Sequence, residues 1–284
     1  MGEYKMHQLS FSTFELKNNL ILFTCNINGR DRNFILDTGS HKVILNSKYQ
    51  ESHSYENYSE KELKGATGTI SKVGKIKIDT FTCGNFKENN IVALTMDLSQ
   101  IEKVLDTQVY GLIGYEFISK YNIYLDYQNQ KIGFWNEHDC NTYSNENAYR
   151  SYKFEMEGHL PIIPCKVGSS VYRTVLDTGA NANLFDIGLI NKLEDYITIE
   201  KYKKIVSANQ DSTNSSYPAG SINSVEVEGL GEFSEMSIVF SDLSHLNQNS
   251  NLEIHGILGY QFLSQAKFII SFTRNKLYVV DDIF

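Results

Sequence analysis

The chain has 284 residues, 41% of them apolar and 21% charged, with a formal net charge of -8. That length and apolar share allow one large domain or two modest ones with a sizeable core, and they exclude a disordered chain. Acidic and basic residues are interspersed with no basic run, which argues against nucleic-acid binding.

Four cysteines, Cys25, Cys83, Cys140 and Cys165, are too sparse for a disulfide scaffold and are expected as free thiols. The seven histidines are scattered without metal-ligand spacing, so no metal or other cofactor is expected. Met1 to Ser10 is polar and mixed, unlike a signal peptide, and no apolar run approaches a membrane span. A soluble chain outside the membrane is expected. The cytoplasm is favoured, with a trimmed secreted or periplasmic form as the alternative.

Along the chain, Leu20 to Ile27 and Phe34 to Leu36 read as two strands joined by a tight turn at Asn28-Gly29. The second strand ends abruptly in Asp37-Thr38-Gly39-Ser40. A polar, Tyr-rich stretch then runs to Leu63. Gly65-Ala66-Thr67-Gly68-Thr69 follows and leads into Ile70 to Ile78, which alternates apolar and polar residues, so a hairpin with a glycine-containing tip is expected. Asp97-Leu98-Ser99 has the form of a cap on a short helix. Gly111-Leu112-Ile113-Gly114-Tyr115-Glu116-Phe117 is next, then a closing hairpin from Ile123 to Tyr127 and Lys131 to Trp135. Asn136 to Arg150 is polar and without periodicity, as expected of a linker.

The whole order then repeats. Phe14, Glu15, Leu20, Cys25 and Leu36 recur, at an offset of 140, as Phe154, Glu155, Leu160, Cys165 and Leu176. The second copy turns at Gly168-Ser169 and ends its strand in Asp177-Thr178-Gly179-Ala180. Ile205 to Gly220 stands where the glycine hairpin is due. Asp242-Leu243-Ser244, Gly256-Ile257-Leu258-Gly259-Tyr260 and the hairpin Phe268 to Phe272 with Lys276 to Val280 complete it. Two fused copies of one unit predict a pseudo-two-fold pair, with lobes at 1–140 and 141–284. Tyr115, Phe117, Tyr260, Phe262 and Trp135 are expected in the core.

Two carboxylates brought together across a pseudo-dyad cannot both ionise easily, so the pair shares a proton. The ionised member can take a proton from water while the protonated member donates to a carbonyl oxygen, which is hydrolysis of an amide without a covalent intermediate. Gly39 and Gly179 permit a sharp turn and close approach, and the hydroxyls of Thr38 and Thr178 can bond across the dyad.

The paired Asp-Thr-Gly triplets, each followed by an apolar-apolar-Gly block (Leu112-Ile113-Gly114 and Ile257-Leu258-Gly259), resemble the retropepsin-like and pepsin-like aspartic proteases. Each half is most similar to a bacterial retropepsin-type domain. The resemblance implies an all-β, bilobal acid-protease fold of two β-barrel-like lobes with a few short helices, monomeric and with its pseudo-dimer inside one chain. It implies an aspartic endopeptidase acting on polypeptide, with Asp37 and Asp177 as the catalytic pair. Thr38, Gly39, Ser40, Thr178, Gly179 and Ala180 would support the pair. Gly65, Ala66, Thr67 and Gly68 would form a flap over an extended peptide. The alternative is a silent peptide-binding pseudoprotease. One departure from symmetry is Ser40 against Ala180. A Ser40 hydroxyl on the outer oxygen of Asp37 would favour the ionised form of that carboxylate, and Ala180→Ser would then move the acidic limb of the rate profile downward. No pepsin-type flap tyrosine is found in the first half; Tyr217 lies in the second.

Overall fold

The computed structural model of the chain describes residues 11–50, 55–56, 63–65, 68–70, 74–136, 150–203, 216–248, 250 and 252–280. The architecture is all-β, with two closed six-stranded barrels joined by a shared sheet.

The first barrel uses β1 (Leu20–Ile27), β2 (Arg30–Leu36), β3 (Ile44–Asn46), β4 (Gly74–Cys83), β5 (Phe86–Met96) and β6 (Gly111–Ile113). Their order around the barrel is β1-β2-β6-β3-β5-β4, and β4 returns to β1 through Asn26↔Thr82 and Ile27↔Phe81. The second barrel repeats the plan with β7 (Leu160–Val167), β8 (Ser170–Leu176), β9 (Asn183–Asp186), β10 (Tyr217–Val227), β11 (Gly231–Ser241) and β12 (Gly256–Leu258). It closes where Lys166 pairs with Glu226.

Turn chemistry fixes the register of the first hairpin in each barrel. Asn28 and Gly29 both have positive φ, at 49° and 82°, as a two-residue type I′ loop requires between Ile27 and Arg30. In the matching turn of the second barrel only Gly168, and not Ser169, is positive, at 59°, giving the II′ form between Val167 and Ser170. With register set, alternate residues of these strands point inward. Ile21, Phe23, Cys25 and Ile27 are buried in one core, and Ile163, Cys165 and Val167 in its counterpart. Cys25 and Cys165 thus occupy equivalent core positions, and Cys25, Cys83 and Cys165 are free thiols.

Short helices follow the long hairpins. The Asp97 carboxylate accepts from the Ser99 amide at 2.8 Å, and the Asp242 carboxylate from that of Ser244 at 2.9 Å. These bonds lie just ahead of the helices Ser99–Leu105 and Ser244–Asn247, whose N-caps are Leu98 and Leu243 and carry no side-chain cap bond.

The sheet between the lobes has six strands in the order Phe11–Thr13, Lys131–Trp135, Asn122–Asp126, Lys267–Ser271, Lys276–Val280 and Arg150–Lys153. Its central pair comes from opposite halves, with Tyr124 facing Ile269 and Ile123 facing Ile270. The pseudo-two-fold axis therefore runs between these two strands. Trp135 is buried here against Tyr124, Ile269, Tyr278 and Val280, so it packs at the junction of the halves and not inside one lobe. One apolar core is continuous across the junction, from Phe14 in the first half to Val279 in the second. That continuity couples the two halves mechanically.

Candidate active site

Each Asp-Thr-Gly triplet leaves the end of a buried strand, and the apolar-apolar-Gly block holds it there. β6 lies parallel to β2 with Ile113 beside Leu36, and the amide of Asp37 donates to the Ile113 carbonyl at 3.0 Å. β12 does the same for β8, and the amide of Asp177 donates to Leu258 at 2.9 Å. The glycine that ends each block is needed for clearance. A Cβ on Gly114 would stand 2.3 Å from the Lys42 carbonyl oxygen, and one on Gly259 would stand 2.4 Å from that of Ala180. The motif thus clamps the loop that carries the carboxylate.

The two loops meet on the pseudo-dyad. Thr38 and Thr178 are buried and exchange four hydrogen bonds between the halves. Each amide donates to the other threonine's Oγ1 at 3.0 Å. Each Oγ1 donates to the carbonyl before the opposite aspartate, Thr38 to Leu176 and Thr178 to Leu36, both at 3.0 Å. A hydroxyl is the smallest side-chain group that both donates and accepts, which is what this reciprocal pattern demands.

The threonine lock brings Asp37 and Asp177 together. The Gly39 amide donates to both carboxylates, at 3.0 Å to Asp37 Oδ1 and 3.1 Å to Asp177 Oδ1. The Gly179 amide donates to Asp177 Oδ1 at 2.8 Å. Both glycines are required by close approach. A Cβ at Gly39 would lie 2.6 Å from Asp177 Oδ2, and one at Gly179 would lie 2.5 Å from Asp37 Oδ1.

Burial raises the carboxyl of Asp37 well above the usual carboxylate range, and the charge of Asp177 and a hydrogen bond to it push the same way. Asp177 is also raised by burial, but the amides of Gly179 and Gly39 and the hydrogen bond from Asp37 oppose the rise. Asp37 is raised the more of the two, and the pair titrates as one unit that holds a shared proton.

Ser40 does not make the contact expected of its hydroxyl. Its hydroxyl donates to the Lys42 carbonyl at 3.2 Å and not to the Asp37 carboxylate. The Ser40 amide alone reaches Asp37, as the smallest of the lowering influences. The extra hydroxyl is taken up by its own loop and bonds neither carboxylate. Ala180 is half-buried at the equivalent position and packs against the core of its barrel.

The predicted flap falls partly outside the described residues. Leu63–Gly65 and Gly68–Ile70 form a two-stranded antiparallel hairpin in which Gly65 pairs with Gly68; Ala66 and Thr67 lie outside the described residues. The alternating run read as one strand from Ile70 is divided, because β4 begins only at Gly74. In the second half, Ile197–Lys203 pairs with the start of β10, Lys203 opposite Tyr217. Most of the segment from Ile205 to Gly220 lies outside the described residues.

Three residues near the pair were not singled out by sequence. His159 Nε2 lies 3.0 Å from the Gly39 carbonyl oxygen, and its ring stacks on His41 at 5.1 Å. Tyr127 is buried, packs edge-on against Tyr260, and its hydroxyl has no hydrogen-bond partner among the described residues. Burial and the charge of Asp177 push this phenol's pKa up. Its equivalent in the second half is Phe272, which packs edge-on against Tyr115 at 5.4 Å.

The comparisons with known proteins bear on the first lobe. The family model described as aspartyl protease matches residues 23–117, from β1 to the turn of helix after β6. Over these residues the chain is similar to the aspartyl protease family. The match takes in Asp37-Thr38-Gly39 and the block at Leu112-Ile113-Gly114, and it bears out the family resemblance read from those residues. No curated protein matches the chain. The second barrel repeats the first strand for strand, which fits the internal repeat. No helix among the described residues is long and apolar enough to cross a membrane.

Proposed function

We propose that the chain is an aspartic endopeptidase in which Asp37 and Asp177 activate a water molecule to hydrolyse a peptide bond. The family match supports a hydrolase of the aspartic protease type acting on polypeptide. The observation that carries the finer reading is the shared Gly39 amide, which donates to one carboxylate from each half. Two buried carboxylates so close hold one proton between them. Asp177, the more readily ionised, takes a proton from water. Asp37 donates its proton to the carbonyl oxygen of the substrate. The water oxygen bonds to the carbonyl carbon to give a gem-diol. The proton held by Asp177 then passes to the leaving amine as the C–N bond breaks, a diol hydroxyl returns its proton to Asp37, and no covalent enzyme intermediate forms.

The substrate binds extended, as an added strand held through its main chain. The hairpin of Leu63–Gly65 and Gly68–Ile70 serves as the flap in this reading, with Gly65, Ala66, Thr67 and Gly68 at its tip. The lobes divide near residue 140, and the working unit is a monomer whose second carboxylate is supplied by its own second half. Hydrolysis of a mixed peptide library in ¹⁸O-labelled water between about pH 3 and 8 tests the proposal, a span over which carboxylate pairs are tuned. Direct attack by water places one ¹⁸O in each new carboxyl group and leaves no trapped acyl-enzyme. A protein that binds peptides but cuts none at any pH would instead be a silent pseudoprotease.

A further inference from the structure

The hairpins that precede the two barrels end in equivalent two-residue turns, Asn18-Asn19 between Lys17 and Leu20, and Gly158-His159 between Glu157 and Leu160. Each turn sends one side chain across to the other lobe. Asn19 Nδ2 donates to the Asn181 carbonyl at 3.1 Å, and His159 Nε2 meets the Gly39 carbonyl at 3.0 Å. The acceptors are not equivalent. Asn181 lies beyond its triplet, whereas Gly39 belongs to one, and the amide of that same Gly39 donates to both carboxylates.

We propose that His159 is a positioning residue for the carboxylate pair, holding the Gly39 carbonyl from the opposite lobe so that the Gly39 amide stays between Asp37 and Asp177, with His41 tuning that hold. A carbonyl oxygen only accepts, so Nε2 of His159 carries the proton in the neutral and in the charged ring alike. Protonation therefore does not break the contact. It makes it charge-assisted, about twice as strong as a neutral hydrogen bond.

The groups around the ring decide when that happens. His41 stacks on it with planes 22° apart, and Tyr115 lies 6.4 Å away. Asp37 and Asp177 lie beyond the Gly39 amide, and Lys42 pairs with Glu116 at 2.7 Å on the flanking loops. Burial holds His159 below the usual histidine value, and a charge on His41 pushes it further down. A positive charge on the stacked His41 ring opposes protonation of His159 by repulsion. A cation on His159 would favour the ionised form of Asp177 and extend activity toward lower pH.

The activity arm of the test rests on the proposed function; the spectroscopic arm does not. In the full chain, ¹H–¹⁵N spectra report the Gly39 amide and imidazole ¹³C shifts report the histidines. His159→Ala should move the Gly39 resonance and lower kcat on the order of ten- to a hundred-fold with KM nearly unchanged, as expected for a displaced reacting group. His159→Asn, which copies Asn19, should restore the resonance and most of kcat, but shift the acidic limb upward because it cannot charge. His41→Asn should raise the His159 midpoint. Asn19→Ala should leave the Gly39 resonance in place. A Gly39 resonance identical in His159→Ala and wild type would overturn the proposal. If wild type cleaves no peptide, the proposed activity falls while the spectra still decide the role of His159.

Discussion

The hydroxyl of Thr38 accepts from the amide of Thr178, and the hydroxyl of Thr178 accepts from the amide of Thr38, both at 3.0 Å. This exchange crosses the pseudo-dyad and fixes the separation of the aspartates that precede the two threonines. Thr38→Val keeps the shape but strands the Thr178 amide and the Leu176 carbonyl. Each stranded buried group costs about 1–3 kcal/mol, so a loss of about 2–5 kcal/mol is expected in urea unfolding. Thr38→Ser keeps the hydroxyl and should lose about 1 kcal/mol, the worth of one buried methyl. Equal losses in the two variants would mean that the hydroxyl exchange contributes nothing.

Folding should depend on pH through the same pair. Both carboxyls are raised in the folded chain, Asp37 the more, with burial as the first cause. The folded chain therefore keeps a proton where the unfolded chain has released it. The stability linked to that proton is complete below the unfolded carboxylate value of about 3.9 and is lost as pH rises through the folded values. Asp37→Asn removes the group with the larger shift. The variant should be more stable than wild type at pH 7, with the gain vanishing near pH 3. A variant that is less stable at pH 7 would show that Asp37 is not held protonated by burial.

The Ser40 hydroxyl bonds the carbonyl of Lys42, two residues on, at 3.2 Å. A serine at 180 would find the equivalent acceptor in the Ala182 carbonyl. Ala180→Ser is therefore expected to leave the acidic limb of the rate profile unmoved. A downward shift would mean that the new hydroxyl reaches the Asp177 carboxylate.

Tyr127 buries a hydroxyl without a hydrogen-bond partner among the described residues, where the second half uses Phe272. Tyr127→Phe should be neutral or stabilising by up to about 1 kcal/mol, since it removes an unsatisfied group and keeps the ring. Calorimetry settles this, and a drop beyond about 1 kcal/mol would show that the hydroxyl has a partner in solution.

Much of this arrangement was legible in the chain itself. The offset of 140 residues between Asp37 and Asp177 exposed the repeat, and Asn28-Gly29 marked the first hairpin because that pair adopts positive φ at low cost. Short elements were not legible. β3 and β9 have three and four residues, too few to show a period, although each is needed to close its barrel. The alternation from Ile70 to Ile78 bridged two separate strands, since a period-2 pattern does not record a break in pairing. The direction of the Ser40 hydroxyl depended on a carbonyl of its own loop. His159 carries no signal in the sequence, because a polar residue in a tight turn has no periodic signature and its contact with Gly39 exists only once the lobes dock.

Asp37 and Asp177 are proposed to act as one shared catalytic pair. Its most direct test is cleavage of a mixed peptide library by wild type, Asp37→Asn and Asp177→Asn, each checked for folding by near-UV circular dichroism. Wild type should cleave and both folded variants should not, because neither carboxylate can act as acid and base alone. Cleavage that survives in either variant would contradict a shared pair.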